Sequence, residues 1–326
     1  MESFVYSVSD GNGIHGEAYR TMLERQADVY ERGLDDTEKA ISALEEVVAE
    51  EPRPSAYASL ERLYVRAHRF TDLTSLYEQQ LERRAGSVVD VRYKLAHAYR
   101  LYLNDTGTAL QHLRDALTDD PDHPDSVGLA EAIMSEHSEH RTLAAEILEP
   151  GYLARMDWTK LTAALRVRVD AESDPDERMR LLVRLARIYE EQLEDFDETL
   201  EIYARLYRED FRDEEVWETL TRLAKVGAHW NRLAKILSEP LIETPVDDDL
   251  MATLARTIGS LYDEKTGNLV KAAEFYAKAL AFDPTDAAAF RMLESAYLRA
   301  GNHAALLELY SQQAEIVHDD ADRVAL

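Results

Sequence analysis

Apolar residues recur along this chain at helical spacing. Leu182, Leu185, Ala186 and Tyr189 fall at relative positions 0, 3, 4 and 7, which places them on one face of a helix. The set Leu60, Tyr64, Ala67, Leu73, Leu76 and Tyr77 returns 160 residues later as Leu220, Ala224, Gly227, Leu233, Ile236 and Leu237. It returns again 233 residues later as Leu293, Tyr297, Ala300, Leu306, Leu309 and Tyr310. Six positions in register, three times over, predict one kind of helical hairpin. A second kind interleaves with it. Tyr30, Tyr99, Tyr189 and Tyr262 each follow a small or apolar residue three or four positions back: Ala27, Ala96, Ala186 and Ile258. Ten residues after the tyrosines come Ala40, Ala109, Thr199 and Ala272, and twelve further on Pro52, Pro121, Phe211 and Pro284.

The polar punctuation agrees. Ser173 to Glu177 reads as a cap, a first-turn proline and a capping-box glutamate. Asp120-Pro121 and Asp283-Pro284 end helices, because proline cannot continue one. Small residues at the alanine positions allow two helices to pack closely.

These residues resemble the tetratricopeptide repeat, whose pattern is W-x2-L-G-x2-Y, then A-x3-F, then P. Trp217-x2-Leu220 with Ala224 is similar to its first helix, as is Phe290-x2-Leu293 with Tyr297 and Gly301. Ala272-x3-Tyr276 followed by Pro284 is similar to its second. Glu61, Thr221 and Glu294 stand where the family has a small residue. The resemblance implies an all-α fold, a right-handed superhelical solenoid of antiparallel helix pairs, over residues 19–326. Residues 1–18 read as a flexible leader. The interval from Tyr99 to Tyr189 is 90 residues against 69 and 73 for its neighbours, so about one extra helix is expected within 122–175. Trp158-x2-Leu161 with Leu165 echoes Trp230-x2-Leu233 with Leu237, which makes that insertion helical. Asp322 to Leu326 resembles Glu177 to Leu181, so a truncated repeat is expected at 319–326 of a longer array, with self-association through uncapped ends as one consequence.

Composition narrows the function classes. The 37 Lys and Arg against 64 Asp and Glu give a net charge of −27, which opposes nucleic acid and anionic membranes and favours solubility and basic partners. There is no cysteine, which removes disulfides, thiol catalysis and thiolate metal ligands. No apolar run is long enough to insert in a membrane, and MESFVYSVSD has no signal-peptide pattern, so cytoplasm is the default expectation.

Candidate chemistry is sparse. Gly11, Gly13 and Gly16 match G-x-G-x-x-G, but the second strand of a dinucleotide fold is replaced by Ala27 to Tyr30 of the repeat. His137 and His140, with Glu136 and Glu139, lack the H-E-x-x-H arrangement and read as solvated surface. No nucleophile elbow or phosphate loop is present. The expectation is a non-enzyme with no cofactor and no metal.

In the proteins this chain resembles, positions 2, 5, 9 and 12 of each first helix line the concave face. Carried onto this sequence, position 9 holds Asp28, Arg62, His97, Arg187, Arg222, Ser260 and Ser295, and position 5 holds Glu24, Ala58, Tyr93, Val183, Glu218, Arg256 and Arg291. Arg100, Arg180 and Lys225 fall beside them. Cations in that trough suit a carboxylate-bearing peptide through charge-assisted hydrogen bonds. Pairing with acids of the next repeat is the alternative. The resemblance thus implies a scaffold or adaptor that binds a protein or peptide. A structural spacer in a large repeat protein, and a regulatory region of an enzyme, stay open as rival readings.

Overall fold

A computed structural model describes residues 16–136, 138–243 and 248–316. Most of the leader, His137 and the expected truncated repeat at 319–326 lie outside the described residues. Among those residues the structure is helical throughout, an all-α, tetratricopeptide-like solenoid in architecture, and it divides into two compact units at Ala171/Glu172.

The first unit contains α1 (Glu17–Asp28), α2 (Thr37–Glu50), α3 (Pro54–Arg66), α4 (Phe70–Glu82), α5 (Val88–Tyr102), α6 (Thr106–Asp119), α7 (Pro124–Ser135), α8 (Arg141–Ala154) and α9 (Trp158–Ala171). The second contains α10 (Pro175–Glu191), α11 (Phe196–Glu209), α12 (Glu214–Gly227), α13 (Trp230–Ser238), the short α14 (Pro240–Glu243), α15 (Asp248–Leu261), α16 (Leu269–Phe282), α17 (Ala287–Ala300) and α18 (His303–Ile316).

Two turn types recur between helices. In the wide turn the carbonyls of Tyr30, Tyr99, Tyr189 and Tyr262 accept from the N–H six residues on, at Asp36, Asp105, Asp195 and Asn268, over 2.8–2.9 Å. The residue before each of those donors is left-handed: Asp35, Asn104, Glu194 and Gly267. Each Asp or Asn then caps the next helix by accepting from the backbone N–H three residues on, at Lys39, Thr108, Glu198 and Lys271. One seven-residue segment therefore ends one helix and starts the next. Replacing Asp105 by Ala leaves the Thr108 N–H without its acceptor and should cost about 1 kcal/mol, read as a lowered urea midpoint with unchanged slope.

The tight turn closes one residue sooner. Tyr64, Tyr152, Ala224 and Tyr297 carbonyls accept from Arg69, Asp157, His229 and Asn302, with His68, Met156, Ala228 and Gly301 left-handed. The same closure ends α4, where the Gln80 carbonyl accepts from the Ala85 N–H and Arg84 is left-handed.

The core is a column of small and branched residues. Ala40, Ala109 and Ala272 are fully buried. Thr199 takes the same place and satisfies its hydroxyl on the Asp195 carbonyl at 2.7 Å. Three residues before the anchor tyrosines stand Ala27, Ala96, Ala186 and Gly259, so Gly259 rather than Ile258 is the register equivalent. The reason is steric: a Cβ on Gly259 would lie 2.5 Å from the buried Tyr276 ring.

Tyr99 is half-buried and stacks on His112, ring centroids 5.5 Å apart. Burial holds the His112 imidazole below its ordinary value. As pH falls below about 6.5 the unfolded chain protonates first, so this contribution is present above that pH and is lost as pH falls through the folded value. His112→Phe should therefore flatten the loss of urea stability between about pH 7 and pH 5 relative to the native chain.

Candidate functional site

In each unit, ion pairs tie consecutive helices of one row together. In the first unit Glu31 of the turn after α1 pairs with Arg62 of α3, Glu61 of α3 with Lys94 of α5 at 2.7 Å, and Asp90 of α5 with His123 at 3.0 Å. Arg100 of α5 pairs with Glu136 beyond α7, and Glu131 of α7 with Lys160 of α9 at 2.7 Å. In the second unit Glu190 of α10 pairs with Arg222 of α12 at 2.6 Å, and Arg256 of α15 with Asp286, the N-cap of α17, at 2.8 Å. Most partners stand about one repeat apart in sequence, so acid and base at fixed repeat positions build a ladder. Each exposed rung contributes only about 0–1 kcal/mol. The ladder's main effect is to fix side-chain directions along the row.

The ladder settles where the ten sequence candidates lie. Arg62, Arg100, Arg222 and Arg256 each pair with the neighbouring element of the row. Arg180 pairs within α10 with Glu177 at 2.8 Å, and Arg187 with Glu191 at 3.9 Å. Lys225 and Arg291 are exposed and make no ion pair among the described residues. The Arg62 guanidinium holds the Glu31 carboxyl below its usual range through their hydrogen bond. Four candidates lie in the first unit and six in the second.

What the structure does bring together is a strip of rings around α5. Tyr93 lies 5.9 Å from His123 and 6.0 Å from His97, centroid to centroid. His97 lies 6.3 Å from Tyr102, which stacks on Phe70 at 4.4 Å. All five are partly exposed. Burial, then the Asp125 carboxylate, pushes the Tyr93 phenol up, so it stays a neutral donor. His123 also caps α7 through Nδ1, which accepts from the Ser126 N–H. Sequence reasoning found Tyr93 and His97 and missed Phe70, Tyr102 and His123. His123 carried a signal: it precedes Pro124 at the first position of a helix, the place of a cap.

Among the described residues no group of three or more His, Asp or Glu converges on a metal position, and no helix is long and apolar enough to cross a membrane. His140 lies 3.7 Å from Glu139.

Tetratricopeptide-repeat family models match residues 22–53 and 289–324. A search of curated proteins finds no match. Solved structures with a similar arrangement include a tetratricopeptide repeat protein from Parabacteroides merdae, 18% identical, over 86% of this chain and 99% of that one, TM-score 0.30. A TPR repeats protein from Bacteroides fragilis is 8% identical over 86% and 98%, TM-score 0.34. The TPR2AB domain of yeast Sti1, solved as a complex with pHSP90, is 13% identical over 81% and 99%, TM-score 0.31. The two family matches fall on α1–α2 and α17–α18, helix pairs that carry the repeat register described above, and at these two places the chain carries tetratricopeptide repeats.

Proposed function

We propose that the chain is a non-catalytic protein-interaction scaffold that takes a peptide or protein segment on its first-helix face. The observation that carries this reading is the ring strip on α5, where Tyr93, His97 and Tyr102 stay partly exposed on the helix that also carries Arg100. Tyrosine and arginine are the residues that dominate binding energy at interfaces, because they combine apolar area with directed hydrogen bonds. The second unit has its own first-helix candidates, Arg180, Arg187, Arg222, Lys225, Arg256 and Arg291. Lys225 and Arg291 are the cations a carboxylate-bearing segment would meet without breaking an ion pair. The Sti1 domain in complex with pHSP90 is a tetratricopeptide domain that holds a protein partner, which supports the class of function and not the partner.

The test is affinity capture with three baits: the native chain, Tyr93→Ala/His97→Ala, and Arg187→Glu/Arg222→Glu. A protein held by the native chain and lost about tenfold or more by one variant, at unchanged helicity, is the expected result. Equal capture by all three baits overturns the face assignment. Capture of nothing replaces it with the spacer reading.

A further inference from the structure

This inference rests on the reading of the chain as a binder of protein segments and concerns one stretch of the first-helix row of the second unit, the start of α12 and the facing part of α15. In the second unit Phe211, Trp217, Leu250 and Leu254 line a cleft of about 580 Å³ between the start of α12 and α15. Trp217 and Phe211 are only partly buried, and both lie against the buried Tyr207 ring, at 6.5 and 6.4 Å. The aromatic wall is therefore backed by core and held in place.

The rim is acidic. Asp213 is occupied as a cap, accepting from the Glu215 and Val216 N–H groups at 2.8 and 3.3 Å. Glu214 lines the cleft, Glu218 stands one helical turn further along α12, and Asp248 opens α15 two residues before Leu250. Glu214, Glu218 and Asp248 are exposed and make no ion pair among the described residues. The one cation lining the cleft, Arg212, lies over the Phe211 ring at 5.6 Å.

We propose that this cleft seats a bulky apolar side chain of a partner protein segment whose flanking residues are Lys or Arg. Apolar walls from two helices supply burial for the anchor. The unpaired carboxylates supply complementary charge at the rim, and the net charge of −27 steers a basic segment toward it. An acidic segment meets repulsion at the same rim. This occupant is the opposite in charge of the one expected for the arginines further along the same helices, so the charge of the segment decides which end of α12 it meets.

The chain has 3 tryptophans, and a Trp158→Phe/Trp230→Phe background leaves Trp217 as the reporter. The probes are three capped pentapeptides: Lys-Arg-Leu-Arg-Lys, Lys-Arg-Gly-Arg-Lys and Glu-Glu-Leu-Glu-Glu. The expected result is a saturable change in Trp217 emission with the first peptide, about tenfold weaker with the glycine peptide and weaker still with the acidic one. Glu214→Lys/Glu218→Lys should reverse the charge preference at unchanged helicity. Unchanged emission, an equal response to the glycine peptide, or preference for the acidic peptide overturns the proposal. The Tyr93→Ala/His97→Ala variant leaves this titration unaltered, so loss of the cleft response with capture retained removes the cleft alone and leaves the scaffold reading standing.

Discussion

Gly259→Ala should destabilise the second unit by about 1–3 kcal/mol, although alanine is the better helix former. Gly259 faces α16, where a Cβ would sit 2.5 Å from two ring atoms of Tyr276. That ring is 2% exposed and has no room to withdraw. The small gain in helix propensity is outweighed by overpacking. In thermal melts the loss should appear as about 2–4 °C per kcal/mol. Gly128→Ala is the matched control: Gly128 lies in the interior of α7 with nothing within 4 Å of a Cβ, so alanine there should stabilise by about 0.5–1 kcal/mol. Pairing Gly259→Ala with Tyr276→Leu should cost less than the sum of the two single changes, because the shorter side chain relieves the clash.

Tyr152→Ala should cost the first unit about 3–5 kcal/mol, and Tyr152→Phe only about 1 kcal/mol. Tyr152 is fully buried in α8, and its hydroxyl donates to Glu131 of α7 at 2.9 Å. Alanine removes the whole ring from between α7, α8 and the turn to α9, leaving a cavity. Phenylalanine removes one hydrogen bond, while Glu131 keeps its partner Lys160 at 2.7 Å. Urea melts of the two variants separate ring packing from the hydroxyl. Equal losses would mean that the hydroxyl, not the ring, holds α7 to α8.

Much of this fold is legible in the sequence because a repeat states each rule several times. The spacing from Tyr30 to Ala40 to Pro52, read four times, marks real helices and their ends. The turn chemistry was equally present and went unread: Asp36, Asp105, Asp195 and Asn268 stand six residues after the anchor tyrosines. Gly259 was passed over for Ile258 because periodicity weighs apolar character and cannot weigh the Tyr276 ring, which comes from the next helix. The division at Ala171/Glu172 falls at the end of the expected insertion, just before the cap and proline of Ser173 to Pro175.

The candidate site was legible only in part, for a physical reason. Position along a helix predicts exposure, but it does not predict which opposite charge a side chain reaches. Arg62, Arg100, Arg222 and Arg256 carry the right charge at the right positions, and each meets a carboxylate of the neighbouring element. Those acids sit about 30 to 36 residues away, beyond any local pattern. Phe70 and Tyr102 meet across two different hairpins, so nothing local links them.

The most direct measurement is hydrogen–deuterium exchange of the native chain with and without the protein it captures. The account predicts new protection in the first-helix row, at α3 and α5 of the first unit or α12 and α15 of the second, with α4, α6, α11 and α16 unchanged. Protection confined to α4, α6, α11 and α16, with the first-helix row exchanging as in the free chain, would contradict it.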